Sequence, residues 1–165
     1  MSQTRPESLG PTQEWVWDYP RPPRLESTRE HVVIELGGVR IADTRSALRV
    51  LETSHPPTYY LPTAAFTPGA LRAATGSSYC EWKGTASYLD VLGGGIVAAR
   101  QAWFYPEPSV GFEALTDHVA VYPAAMDRCL VDDETVVAQA GGFYAGWITS
   151  RVVGPFKGEP GSSGW

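Results

Sequence analysis

Metal-binding side chains are scarce in this chain. It has two cysteines, Cys80 and Cys129, and three histidines, His31, His55 and His118, in 165 residues. Two thiols cannot complete a tetrahedral zinc site or staple a disulfide scaffold. No Cys-x-x-Cys or His-x-x-x-His pair occurs, so no cofactor and no metal site is expected. The one arrangement the spacing leaves open is a site assembled across strands from His55, Cys80 and a carboxylate. Positive charge is also thin: 13 Lys and Arg, spread along the chain, face 18 Asp and Glu for a net charge of −5. Phosphate backbones demand a concentrated cationic footprint, so nucleic acid is not an expected partner. No run approaches a membrane span, and "MSQTRPESLGPTQEW" lacks an apolar signal core. The expected compartment is the cytoplasm, where thiols stay reduced and a Cys80–Cys129 bridge is disfavoured.

Long amphipathic helical periods are missing as well, and short alternating runs take their place. "HVVIELGGVRIADT" reads as a hairpin turning at Gly37-Gly38, because such a pair accepts the positive φ of a two-residue turn. "SYLDVLGGGIVAARQAWFY" repeats the pattern around three glycines, and Asp132-Asp133-Glu134 turns a third hairpin in "CLVDDETVVAQ". Leu36-Gly37-Gly38 with Ala42 echoes Leu92-Gly93-Gly94 with Ala98, a weak sign of a repeated hairpin. "HVAVYP" adds a strand, and "GGFYAGWITS" an edge strand. "SALRVLET" fits helix and strand equally, "HPPTYYLP" reads as an extended turn, and "TPGALRAA" as a short helical turn. The sum is a mainly β domain. Residues 1–14 are expected to be a flexible N-terminal segment. Residues 15–165 form one domain that includes an extended arm carrying Trp15 and Trp17 and a surface tail, "GEPGSSGW".

Chemistry has few footholds. Gly93-Gly94-Gly95 lies in a hairpin tip with no following helix, which excludes a phosphate loop. Cys80 has Lys83 close by in sequence, so it is a candidate nucleophile, although free cysteines usually serve as small buried hydrophobes. Glu52 and Glu81 are carboxylates that no spacing brings together. Aromatic residues are more informative. Those in the turn clusters "PPTYY", "EWKG" and "WFYPEP" stand beside Pro and Gly, where they can wall a cleft for a planar or charged ligand.

The same clusters carry a resemblance. "RVLETSHPPTYYLP", "CEWKGTASY", "AWFYPEP", "HVAVYP" and "GGFYAGWITSRVVGPFKGEPG" together resemble the domain of unknown function 427 family, a bacterial and fungal family sometimes labelled a nucleotidyltransferase domain. The likeness implies a β-tent: two antiparallel sheets, few short helices, and a pocket between sheets that join at an apex. Many proteins of that fold hold zinc through two Cys-x-x-Cys pairs. This sequence lacks both, so its apex is expected to be packed by side chains. Nucleotidyl transfer needs paired acidic metal ligands and a phosphate cradle, for which Asp132-Asp133 is the sole, weak candidate. The leading expectation is therefore a small-molecule-binding module, with Tyr59, Tyr60, Trp82, Tyr88, Trp103 and Tyr105 as walls and Arg49, Glu52 and Lys83 as orienting charges. An enzyme using Lys83, Glu52 or Cys80 is the second class. An interaction module is the third, with the Trp15/Trp17 arm reaching another chain and a homodimer among the expected partners.

Overall fold

A computed structural model describes residues 3–141 and 144–165. The strands, in chain order, are β1 (Glu14–Trp15), β2 (Arg24–Ser27), β3 (Val32–Leu36), β4 (Val39–Thr44), β5 (Leu48–Leu51), β6 (Thr58–Pro62), β7 (Leu71–Cys80) and β8 (Gly84–Gly93). They continue as β9 (Ile96–Phe104), β10 (His118–Val121), β11 (Arg128–Val131), β12 (Glu134–Thr135), β13 (Val137–Ala138), β14 (Trp147–Ile148) and β15 (Val152–Val153). The described helical segments are short 3-10 turns, and no helix among the described residues is long and apolar enough to cross a membrane. Seven strands form one antiparallel sheet in the order β2-β5-β6-β10-β9-β8-β7, and four form a second in the order β12-β11-β3-β4.

Alternation along the strands sorts side chains into layers. Val32, Ile34, Cys129 and Val131 from the four-stranded sheet meet Tyr59, Leu61, Val91 and Val119 from the seven-stranded one, and Trp147 is sealed among them. The Trp147 ring lies 4.9 Å from that of Tyr59. This filled layer is the main core. The cavity described below lies on the other face of the seven-stranded sheet. Burial pushes the Cys129 thiol up to about 12, as expected of a cysteine used for packing.

All three expected hairpins form, each through a two-residue turn with positive φ at both positions: Gly37-Gly38, Gly94-Gly95 and Asp132-Asp133. The internal echo is therefore displaced by one residue, with Gly37 equivalent to Gly94 rather than Gly93. The two glycine turns, one from each sheet, meet tip to tip. A Cβ on Gly37 would stand 2.0 Å from the Gly93 carbonyl oxygen, and one on Gly94 would stand 1.8 Å from that of Gly37. At these tips the two hairpins meet backbone against backbone, with the Leu36 and Ile41 side chains beside them.

Two segments differ from their sequence reading, and the C-terminal tail is anchored by contacts. "TYYLP" is a central strand, β6, because its prolines stand before it or at its last residue and leave the middle of the ladder its donors. "LRAATGSSYC" is the ten-residue edge strand β7, whose mostly exposed side chains show no apolar alternation to read. The C-terminal "GEPGSSGW" packs on the chain. Lys157 Nζ donates to the carbonyls of Ser162, Ser163 and Trp165, and the Trp165 ring meets Trp17 edge-on at 5.1 Å. Trp15 is buried, and Trp17 donates its Nε1–H to the Pro155 carbonyl at 2.9 Å. The first two residues of the expected N-terminal segment lie outside the described residues. So do 142–143 in the expected "GGFYAGWITS" strand, of which β14 is the described part.

Candidate functional site

The opposite face of the seven-stranded sheet carries a second aromatic layer. Neighbouring residues on a strand point to opposite faces, so Tyr60 points away from the core that Tyr59 enters. On the same outer face stand Val50 from β5, Ala86 and Tyr88 from β8, Trp103 from β9, and Tyr105 and Tyr122 just beyond β9 and β10. Trp103 donates its Nε1–H to the Tyr60 hydroxyl at 3.3 Å, and their rings stand nearly perpendicular at 88°. Tyr122 tilts against Trp103 with 4.8 Å between centroids.

Loops raise the walls of a cavity of about 430 Å³ above this floor. The β7–β8 turn contributes Glu81, Trp82 and Lys83, and Cys80 ends the strand before it. The loop after β9 holds that turn, because Ser109 N–H donates to the Lys83 carbonyl at 2.9 Å. The β5–β6 connection supplies Glu52, His55 and Pro56, and the β13–β14 connection supplies Gln139, Tyr144 and Ala145. The clusters "PPTYY", "EWKG" and "WFYPEP" thus converge on one cavity.

Its electrostatics are set by burial and a few fixed bonds. Burial pushes up the phenol pKa values of Tyr60, Tyr105 and Tyr122, so these groups stay neutral at pH 7 and can donate hydrogen bonds. Burial also works against the Lys83 ammonium, but its neighbours Tyr60, Cys80 and Glu52 more than offset that, and the lysine keeps its proton. Gln139 Oε1 accepts from the Gly146 N–H at 3.1 Å, which fixes the amide orientation. Gln139 Nε2 then donates to the Lys157 carbonyl at 2.7 Å and to His55 Nδ1 at 3.2 Å. His55 must therefore carry its proton on Nε2, which faces Glu52 at 3.9 Å. Burial, foremost, holds its pKa below the ordinary value against the pull of Glu52, and the charges of Arg21, Lys157 and Lys83 act in the same direction as burial.

Of the expected site residues, Glu52, Tyr60, Trp82, Lys83, Tyr88, Trp103 and Tyr105 line the cavity, and Arg49 and Tyr59 do not. Arg49 is fully buried, bonded to Glu14 at 2.9 Å and Glu26 at 2.6 Å. The Tyr59 hydroxyl donates to Glu30 at 2.8 Å. Both belong to a charged seam, completed by Arg151, that ties the N-terminal arm to the sheet. His55, Tyr122, Gln139 and Tyr144 line the cavity without having been expected there. The period-two run "HVAVYP" would have placed Tyr122 on the face of Tyr60 and Trp103, but no sequence signal marks Gln139. His55, Cys80 and Glu52 do reach one cavity. Even so, no three His, Cys, Asp or Glu side chains among the described residues are placed to hold a metal ion. Asp132 and Asp133 form the β11–β12 turn, where Asp132 accepts the His31 N–H at 2.8 Å, and they take no part in this cavity.

Residues 24–132 match the family model described as domain of unknown function (DUF427). No curated protein matches the chain. The matched span includes the cavity floor and the β7–β8 turn, while Gln139, Tyr144 and Ala145 lie beyond it.

Proposed function

The chain belongs to the family described as domain of unknown function DUF427, a description that assigns no reaction, and we propose that it is a small-molecule-binding module. Its site is the aromatic cavity on the outer face of the seven-stranded sheet. The observation that carries this reading is the convergence of three separate turn clusters on one cavity of about 430 Å³. That size is in the range of small-ligand sites, and aromatic walls with a few polar groups are their usual make-up. Tyr60, Trp82, Tyr88, Trp103 and Tyr105 supply surfaces for stacking, and Lys83 and Glu52 supply orienting charge.

Ligand-observed NMR with a library of planar fragments tests the proposal. Trp82 is only partly buried, so Trp82→Ala alters the wall without emptying the core. Fragments should bind the wild type and lose most of their affinity for this variant while the melting temperature barely moves. Absence of binding across the library, or equal binding to the variant, contradicts the reading.

A second reading, an enzyme, draws support from the presence of Cys80, Lys83 and Glu52 in the same cavity. Selective acylation or alkylation of Lys83 or Cys80 at neutral pH, at rates well above those of free amine and thiol, would favour it. Ordinary rates would remove its motive.

A further inference from the structure

Glu52 and His55 reach the cavity from one turn, residues 52–55, and that turn does little to hold itself. Its internal backbone bond runs from the His55 N–H to the Glu52 carbonyl at 3.0 Å. Between those residues Ser54 sits at φ 70°, a left-handed backbone that its Cβ resists. The Ser54 hydroxyl is sealed from solvent and meets no partner among the described residues, a further cost of this conformation. The two ends of the chain supply what the turn lacks. From the N-terminal arm, the Pro20 carbonyl accepts the Thr53 N–H at 3.2 Å and the Val16 carbonyl accepts the Ser54 N–H at 3.1 Å. The Tyr19 carbonyl accepts the Thr53 hydroxyl at 2.5 Å, and Arg21 pairs with Glu52 at 3.5 Å. From the tail, the Lys157 N–H donates to the Ser54 carbonyl at 2.8 Å. Arm and tail are themselves joined, through β1 against β15, the Trp17 Nε1–H to the Pro155 carbonyl, and the Trp17 ring against Trp165.

We infer that arm and tail form a clasp that shapes the cavity: docked, they impose the strained turn that presents Glu52 and His55, and released, they let it relax. Strain of this kind persists only where the surrounding structure over-determines it. Here the surroundings are two segments remote in sequence from the cavity floor. Relaxation returns Ser54 to a right-handed backbone and its hydroxyl to water, which re-aims His55 beside it. On the pocket reading above, a ligand that touches Glu52 or His55 distinguishes the two forms, so occupancy and docking favour each other reciprocally.

Amide hydrogen exchange by NMR, on the full chain, tests the clasp without a ligand. Trp17 lies outside the cavity lining, so Trp17→Ala loosens the clasp from a distance. The Thr53 and Ser54 amides should then exchange at least about fivefold faster, the lower end of usual coupling between sites. The His55 side-chain resonances should move, and the amides of β3 and β10 should keep their rates. Adding Ser54→Gly, which accepts the left-handed backbone and deletes the orphan hydroxyl, should slow the exchange again. Unchanged exchange at 53 and 54, acceleration equal to that of the core, or no rescue by Ser54→Gly overturns the clasp. A planar fragment that binds should slow the same two amides and bind Trp17→Ala more weakly. Equal binding to both proteins overturns the link to the cavity and leaves the pocket reading standing. A library without binders removes the pocket reading, and the exchange rates then decide the clasp alone.

Discussion

Substituting the glycines at the two hairpin tips tests how the sheets meet there. The four turn residues share nearly the same backbone, with φ of 63° at Gly37, 79° at Gly38, 55° at Gly94 and 83° at Gly95. Alanine at any of them incurs the left-handed conformation, about 1–2 kcal/mol. At Gly38 and Gly95 nothing lies within 4 Å of the added Cβ, so that is the whole effect. At Gly37 and Gly94 the Cβ would meet backbone oxygen at 2.0 and 1.8 Å, and neither turn can yield without parting the tips. Parting them loosens the contacts of Leu36 and Ile41, both buried beneath, and a gap of even 0.5–1 Å forfeits a quarter to a half of each dispersion contact. The total for Gly37→Ala or Gly94→Ala is then about 3–5 kcal/mol, comparable with a core truncation. A kcal/mol shifts the melting temperature of a chain this long by about 2–4 °C. The open positions should therefore lose about 2–8 °C and the contact positions about 6–20 °C by calorimetry or circular dichroism. The Gly37→Ala/Gly94→Ala pair should lose less than the sum of its singles, because both break one contact. Equal losses at Gly37 and Gly38 would refute tip-to-tip closure.

Further outcomes follow from the charged seam and the cavity. Burial alone would raise the Glu14 pKa, but hydrogen bonds from Arg49 and Tyr19 and the charges of Arg49 and Arg151 bring it from 4.5 to about 2. Its stabilising contribution is complete above the unfolded value near 4.5 and disappears as the pH falls towards 2. Urea midpoints of the wild type should drop across that window, and those of Glu14→Gln should be lower at pH 5 and flatter below it; parallel curves would contradict the seam. His55 should titrate below 6.5 and carry its proton on Nε2, both visible in nitrogen chemical shifts. Gln139→Leu should admit the other tautomer, and an Nδ1–H tautomer in the wild type would refute the assignment. Gly146→Ala would bring a Cβ to 2.5 Å from Pro56 and 2.6 Å from Gln139 Oε1, so it should disturb the His55 resonances and destabilise the fold by about 1–3 kcal/mol. Unchanged resonances would count against that coupling.

The hairpins were legible because their turns are chemically distinctive: glycine pairs and Asp132-Asp133 mark positions where the backbone needs positive φ. β6 was obscured by Pro56, Pro57 and Pro62, since a sequence window cannot distinguish proline flanking a strand from proline inside it. β7 was hidden by its exposure, which leaves no period. Among the site residues, Tyr59 and Tyr60 illustrate the limit. Their shared turn cluster suits both to a cavity wall, yet adjacent residues on a strand face opposite ways, and only pairing to β5 and β10 decides which faces where. Arg49 follows the same parity: it joins the seam with Glu14 and Glu26 while its neighbour Val50 reaches the cavity. Gln139 and Tyr144 arrive from a distant loop by tertiary packing, which no local pattern encodes.

Cysteine chemistry gives the most direct test of the cavity. Cys80 lines it, whereas Cys129 is sealed in the core between the sheets. Native protein treated with iodoacetamide should be modified once, at Cys80, as read by peptide mass spectrometry. A planar fragment found to bind by NMR should slow that modification in proportion to its occupancy of the protein. An alkylation rate at Cys80 that stays unchanged under saturating fragment would contradict the claim that small molecules bind in this cavity.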